Sequence, residues 1–342
     1  MHKTVCFGEI MLRLSPPGFE RLLQSPVFHA TFGGGEANVA ISLAHFGCES
    51  HYVTRLPANA IGEAAVKTLR AEGVRVEHIL RGGSRMGVYF AETGASQRPS
   101  LVVYDRAHSA ISEIEPGAVP WRDVFQGAAW FHTTGITPAL SVQAAACTRE
   151  AIEHAKRAGV RISLDLNYRK TLWSERKAQE TMRPLVALAD VLIANEEDLQ
   201  SVLGVRVPHA DVVSGSLNVA AYREAAESVA AEFGVKQVAV TLRESISASD
   251  NAWSAALVDA GARRFYQSQR YVVRLVDRIG GGDSFAAGLI FSLLTGRDCE
   301  SALRFAVAAS ALKQTIPGDF NRVSVAEVDR LASGDSSGRV LR

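Results

Sequence analysis

Along the 342-residue chain, short apolar runs alternate with longer segments whose apolar residues recur three and four apart, the pattern of strands followed by helices. Residues 4–8 form a compact apolar run, and 10–14 alternates before Pro16, Pro17 and Gly18 interrupt it. The strand pattern resumes at 28–32. Gly33, Gly34 and Gly35 then open a helix with Val39, Ala40, Leu43 and Phe46 at helical spacing, which Gly47 ends. Strand-like 51–55, helical 60–72 and strand-like 76–80 continue the rhythm. It breaks at 86–92 and 101–104, two strand patterns joined by a polar loop containing Gly94 and Pro99, with no helix between them. Strands at 128–133, 161–165 and 190–194 alternate with helices at 141–158 and 175–188. A helix at 219–233 and strands at 236–242, 252–258 and 262–268 lead to a glycine-rich turn. Residues 284–294 beyond it are apolar on nearly every face, and a last helix spans 299–314.

This order predicts a doubly wound α/β fold, one domain over residues 1–333. The helix-free segments at about 10–32 and 86–105 are expected to form a small β lid over the C-terminal edge of the main sheet, where such folds bind ligands. Residues 205–216, with Pro208, Ser214 and Gly215, are expected to be a surface insertion, and the Ser/Gly/Arg-rich 334–342 a flexible tail.

An apolar content of 47% suffices for a large core. With 37 basic and 36 acidic residues intermixed, the chain offers no electrostatic footprint for nucleic acid or a membrane surface. Cys6, Cys48, Cys147 and Cys299 are scattered without ligand spacing, and no apolar run approaches the ~20 residues of a membrane span. The expectation is a cytoplasmic protein with reduced thiols.

Candidate chemistry concentrates in DRIGGGDSFAAGLI at 277–290. Gly280, Gly281 and Gly282 allow close backbone approach and positive φ. A buried helix following directly would aim its unpaired N–H groups and positive end at one point, which suits a phosphate. Asp283 at that mouth has two readings: a helix cap, or a base that takes a proton from an alcohol attacking phosphorus. No Lys-Ser or Lys-Thr follows the glycines, and the spacing is not that of a dinucleotide fingerprint. A second cluster, DLNYR at 165–169, follows a strand, and Tyr104-Asp105-Arg106 ends a lid strand. Arg106 and Arg169 converging on one pocket would suit a carboxylate; surface or structural ion pairs are the alternative.

The 277–290 stretch resembles the C-terminal signature DTxGAGDxFxxG of the ribokinase-like (PfkB) carbohydrate kinases, departing at Arg278-Ile279 and Gly281. GGGEANVAISLAHFG at 33–47 resembles their N-terminal GGxxxNxAxxLAxLG. With GITPAL at 135–140 and NYR at 167–169, the chain is similar to the 2-keto-3-deoxygluconate kinase branch. The resemblance implies a ribokinase-like fold and ATP-dependent phosphorylation of a primary hydroxyl on a small sugar acid, with Mg2+ and, as a further candidate, a monovalent cation. It implies that Asp283 is the base and that the Gly280–Gly282 amides hold the moving phosphoryl group. Gly34, Gly35 and Asn38 would contact sugar hydroxyls, and Gly34, Tyr89, Tyr104, Arg106, Ile136 and Arg169 the sugar acid. Asn195 and the acids after it occupy the place of an NxxE motif that serves the magnesium-bound phosphates, with Glu197, Asp198 or Glu196 as candidate metal residues and first-turn capping as the alternative. Thr241 and Arg243 would meet the nucleotide, although TLRESISASDN at 241–251 lacks both glycines of the relatives' turn there. The lid of such kinases commonly mediates a homodimer or higher oligomer. A neutral-sugar kinase such as a fructokinase, or a non-catalytic sugar or nucleotide sensor, are the competing readings.

Overall fold

The computed structural model describes residues 1–195, 197–205, 219–335 and 338. The insertion expected at 205–216 lies outside these beyond Val205, as does most of the tail expected at 334–342.

Strands β1 (Lys3–Phe7), β4 (Glu49–Leu56), β5 (Ile79–Arg81), β8 (Ala128–Thr134), β9 (Arg161–Asp165), β10 (Val191–Ala194) and β11 (Gln237–Ser245) build a parallel sheet. Antiparallel β12 (Asp250–Asp259), β13 (Arg264–Gln267) and β14 (Tyr271–Arg274) extend it. The order is β13-β12-β11-β10-β9-β8-β1-β4-β5, with β14 also on β12. Continuous apolar runs mark the central strands because both faces are covered: Val5, Cys6 and Phe7 are each 0% exposed, and separate apolar clusters lie on the two faces. A second sheet, β3-β2-β6-β7, combines β2 (Met11–Ser15), β3 (His29–Gly33), β6 (Val88–Glu92) and β7 (Leu101–Asp105).

The helix Gly281–Leu294 is buried on nearly all sides, as its uniformly apolar sequence predicts. Gly288 allows the helix Cys299–Lys313 to come close, since a Cβ there would stand 2.9 Å from the Ala306 Cα. The axis, and with it the position of the helix N-terminus, is thereby fixed.

Several elements differ from expectation. The strand expected at 76–80 pairs only over Ile79–Arg81, β14 was not anticipated, and the helix at 299–314 is not the last, because Val325–Ala332 follows it. The 241–251 segment, which lacks the relatives' two glycines, continues as a strand. Without glycine to bend it, Thr241-Leu242-Arg243 stays extended, and β11 and β12 pair from Gln237↔Asp259 to Ser245↔Asn251. The chain reverses only at 246–249, where Ser247 Oγ accepts the Ser249 and Asp250 N–H groups. That tip touches the small sheet's loop: Ala248 N–H donates to Ser96 O at 2.8 Å and Ser96 N–H to Ser249 Oγ at 2.9 Å.

Candidate active site

A cleft of about 450 Å³ lies beyond the C-terminal ends of β8, β9 and β10, between the two sheets. That is the position expected of a ligand site in an open α/β sheet. It brings together all the residues singled out above: Gly34, Gly35, Asn38, Tyr89, Tyr104, Arg106, Ile136, Arg169, Asn195, Glu197, Asp198, Thr241, Arg243, Gly280, Gly281, Gly282 and Asp283. Glu196 lies outside the described residues.

The glycines are not equivalent. Gly280 is the N-cap, in left-handed conformation at φ +86°, and a Cβ there would lie 2.1 Å from the Asp319 carbonyl oxygen. Gly281 packs on Gln314, and its carbonyl accepts the Ser310 hydroxyl at 2.7 Å. Gly282 is exposed, with nothing within 4 Å of where its Cβ would be. The positive φ demanded by the turn therefore falls on Gly280, and Gly282 is the bare backbone facing the cleft. First-turn N–H groups have no intrahelical partner.

Asp283 makes no side-chain cap bond to this helix. Its carboxylate instead accepts Asn38 Nδ2–H at 2.7 Å, while Asn38 Oδ1 accepts the Gly34 N–H at 3.3 Å. Asn38 thus joins the start of its own helix, Gly35–His45, to the acid. Burial pushes the Asp283 carboxyl up to about 6; Asn38 opposes this, Asp319 adds to it, and the Arg169 and Lys313 cations pull it back.

The arginines behave differently from each other. Arg106 is buried and paired with Glu9, which also accepts the Ser109 hydroxyl at 2.9 Å; its guanidinium also lies over the Tyr104 ring. Its charge is met before any ligand arrives. Arg169 donates to the Tyr168 carbonyl at 2.9 Å and influences Asp165, Asp198 and Asp283 through space. Among the described residues no carboxylate pairs with it within hydrogen-bonding distance. Asn167, at φ +41°, makes the reversal that carries Arg169 into the cleft.

At the other end, Asp198 is buried and commits both oxygens to main-chain donors, Tyr168 N–H and Asn195 N–H, each at 3.1 Å. Asn195 Oδ1 accepts the N–H groups of Glu197 and Asp198. The first-turn arrangement weighed from sequence is present, and Glu197 is the exposed acid of the pair. Among the described residues no three His, Cys, Asp or Glu side chains form a metal cage. Thr241 Oγ1–H reaches the Ala194 carbonyl at 3.4 Å. Arg243 stands near enough to Arg278 that, after burial, its charge is the main influence lowering the Arg278 pKa.

Residues 1–322 match the pfkB family carbohydrate kinases. The chain belongs to that family. Within it, the chain is 34% identical over 336 residues to a 2-dehydro-3-deoxygalactonokinase of Haloferax volcanii, covering 98% of each chain. It is 27% identical to a 2-dehydro-3-deoxygluconokinase of Bacillus subtilis, covering 99% of this chain and 97% of that one. The crystal structure of a 2-dehydro-3-deoxygluconokinase from Thermotoga maritima superposes with a TM-score of 0.94 at 49% identity, over 98% of this chain and all of the other. For a pfkB kinase, the sequence reading omitted three residues of consequence. Asp319 accepts Tyr89 Oη–H and Arg13, both at 2.6 Å. Arg13, in β2, also holds Asp277 at 2.7 Å. Glu36, 0% exposed, accepts the Thr134 N–H and the Thr134 and Thr137 hydroxyls, fixing the short helix Ile136–Ala139. Gly8 leaves space for that carboxyl.

Proposed function

We propose that the protein transfers the terminal phosphoryl group of ATP to the primary hydroxyl of a 2-keto-3-deoxy sugar acid, 2-keto-3-deoxygluconate first among candidates, giving the 6-phosphate. The observation that carries this reading is Arg169, a cation without a bonded carboxylate among the described residues, in the same cleft as Asp283 and the glycine turn. A neutral sugar would leave that charge unmatched, whereas a carboxylate would meet it. The names of the relatives support the same substrate class. Between C4 epimers they point both ways.

In this mechanism Asp283, oriented by Asn38, takes the hydroxyl proton, and the N–H at Gly282 stabilises charge on the phosphoryl oxygens, while the Gly281 N–H donates to the Arg278 carbonyl at 3.4 Å. Arg243 and Arg278, two guanidiniums brought near each other despite repulsion, suit a polyphosphate. Glu197 would be the side chain to meet a magnesium ion carried in on those phosphates, whose charge the ion would neutralise, since Asp198 is already committed to main-chain donors. Exposed Leu101 and Val103 on β7 support association of two or more copies through the small sheet. No helix among the described residues is long and apolar enough to cross a membrane, and the four cysteines are free and buried; both suit the cytoplasm.

The test is kcat/KM from coupled ADP release for 2-keto-3-deoxygluconate, 2-keto-3-deoxygalactonate, fructose and ribose, in wild type and Arg169→Ala. The acids should be preferred, and the variant should lose about 10- to 100-fold on them, the worth of a charge-assisted hydrogen bond, with little change on neutral sugars. Equal losses on both would remove the carboxylate contact from Arg169. Arg106→Ala is a poor substitute, because it strands the buried Glu9 charge and tests folding instead.

The Asp283 carboxyl acts only when deprotonated. Its position near 6 therefore predicts that kcat/KM falls as pH drops through about 6 and levels off above. An acid limb near 4 instead would mean that the base is elsewhere or solvated.

A further inference from the structure

Lys313 takes no part in the chemistry above, yet it is one of the largest fully buried side chains, 0% exposed at the end of the helix Cys299–Lys313. Among the described residues its hydrogen-bond acceptors are two main-chain carbonyls, Asp277 O at 3.2 Å and Ile316 O at 3.3 Å. Burying an ammonium without a bonded carboxylate is costly, and an apolar side chain of similar length would fill the space without that cost. The offset comes from nearby charge. Asp277, Asp319 and Asp283 all act on this ammonium and favour its charged form, while burial and Arg13 oppose it.

Its position is at the root of the glycine turn. A Cβ on Gly280 would lie 3.1 Å from Lys313 Cε, so the lysine stem runs beneath the helix N-cap. The two carbonyls belong to the two loops that form the turn's base. The same loops are joined by Asp277, whose carboxylate accepts the Ile279 N–H at 3.1 Å and the Gly318 N–H at 3.0 Å. Carbonyl oxygens converging on one positive charge beside carboxylates are the surroundings in which a bare monovalent cation would be held. Here the chain fills that position itself, so the monovalent cation implied by the family resemblance does not fit at this turn.

We infer that Lys313 is the resident cation of the phosphoryl-binding turn: its ammonium holds the Asp277 and Ile316 carbonyls together, and the enzyme therefore works without an added monovalent cation. The inference rests on the reading that this turn receives the phosphoryl group. Lys313 is a positioning residue, acting through Gly280 and Asp283.

The experiment compares wild type, Lys313→Met and Lys313→Gln in buffers whose monovalent cation is tetramethylammonium, sodium, potassium or ammonium, at constant ionic strength. Wild-type kcat should be the same in all four. The variants should lose about 10- to 100-fold in kcat in tetramethylammonium, the scale of one charge-assisted hydrogen bond, and regain much of it in potassium or ammonium. Their melting temperatures should rise in potassium or ammonium relative to tetramethylammonium, because a vacated site then binds a ligand, while that of wild type should not. This thermal arm needs no turnover, so it separates the inference from the phosphotransfer reading. Strong activation of the wild type by potassium would overturn the inference, as would variants with undiminished kcat. Loss of activity that no cation restores would assign Lys313 to packing and overturn it too. If neither variant folds, the wild-type comparison alone decides.

Discussion

Asp283→Asn is expected to fold normally, bind nucleotide, and turn over at least ~100-fold more slowly, the lower range for loss of a general base. Asparagine keeps the side chain's size and an oxygen for the Asn38 Nδ2–H that Asp283 accepts at 2.7 Å, so the local geometry survives. What disappears is the group able to take a proton. Helix stability should change little, because the native carboxylate does not cap the helix. Single-turnover rates at saturating ATP and sugar acid, with melting temperatures alongside, make the comparison. Near-normal turnover in the folded variant would leave Asp283 as a polar wall of the cleft and move the base elsewhere.

The second large effect separates two glycines only two residues apart. Gly282→Val should melt close to wild type and lose at least ~100-fold in kcat/KM, comparable to removing a donor from an oxyanion site, because its side chain would stand in open cleft space. Gly280→Ala should act first on the fold. Alanine at φ +86°, with its Cβ driven onto the Asp319 carbonyl, should lower stability by about 1 kcal/mol or more. Circular dichroism melts and steady-state kinetics on both variants decide. If Gly282→Val is fully active, the phosphoryl group does not approach that face, and the assignment of the turn fails.

The legible part of this protein was its periodicity. Short apolar runs such as those within 4–8 and 190–194 mark buried parallel strands, and the glycine turn followed by an unbroken apolar helix marks the catalytic-site candidate. Within GGG the sequence could not say which glycine carries the strain, since that depends on a carbonyl 39 residues away at Asp319. The helix at Val325–Ala332 did carry a signal that was passed over: Ser324 and Glu327 have capping-box spacing and form that box. Partners across the chain left no local trace. Arg106 meets Glu9, and Arg13 meets Asp277 and Asp319, each joining segments far apart in sequence. Lys313 looks like any solvent-facing lysine in a helical repeat until the loop at 316–319 closes over it.

Arg13 has a mechanical consequence for the small sheet. It lies on β2, the strand between β3 and β6, and its guanidinium is bolted to the two loops at the base of the glycine turn through Asp277 and Asp319. Pulling β2 away from the turn would strand one buried cation and two carboxylates, at a cost of several kcal/mol. A cover that swings clear of the cleft is therefore not available to this architecture. β2 is the anchored spine of the small sheet, fastened beside the cleft whatever its neighbouring strands do.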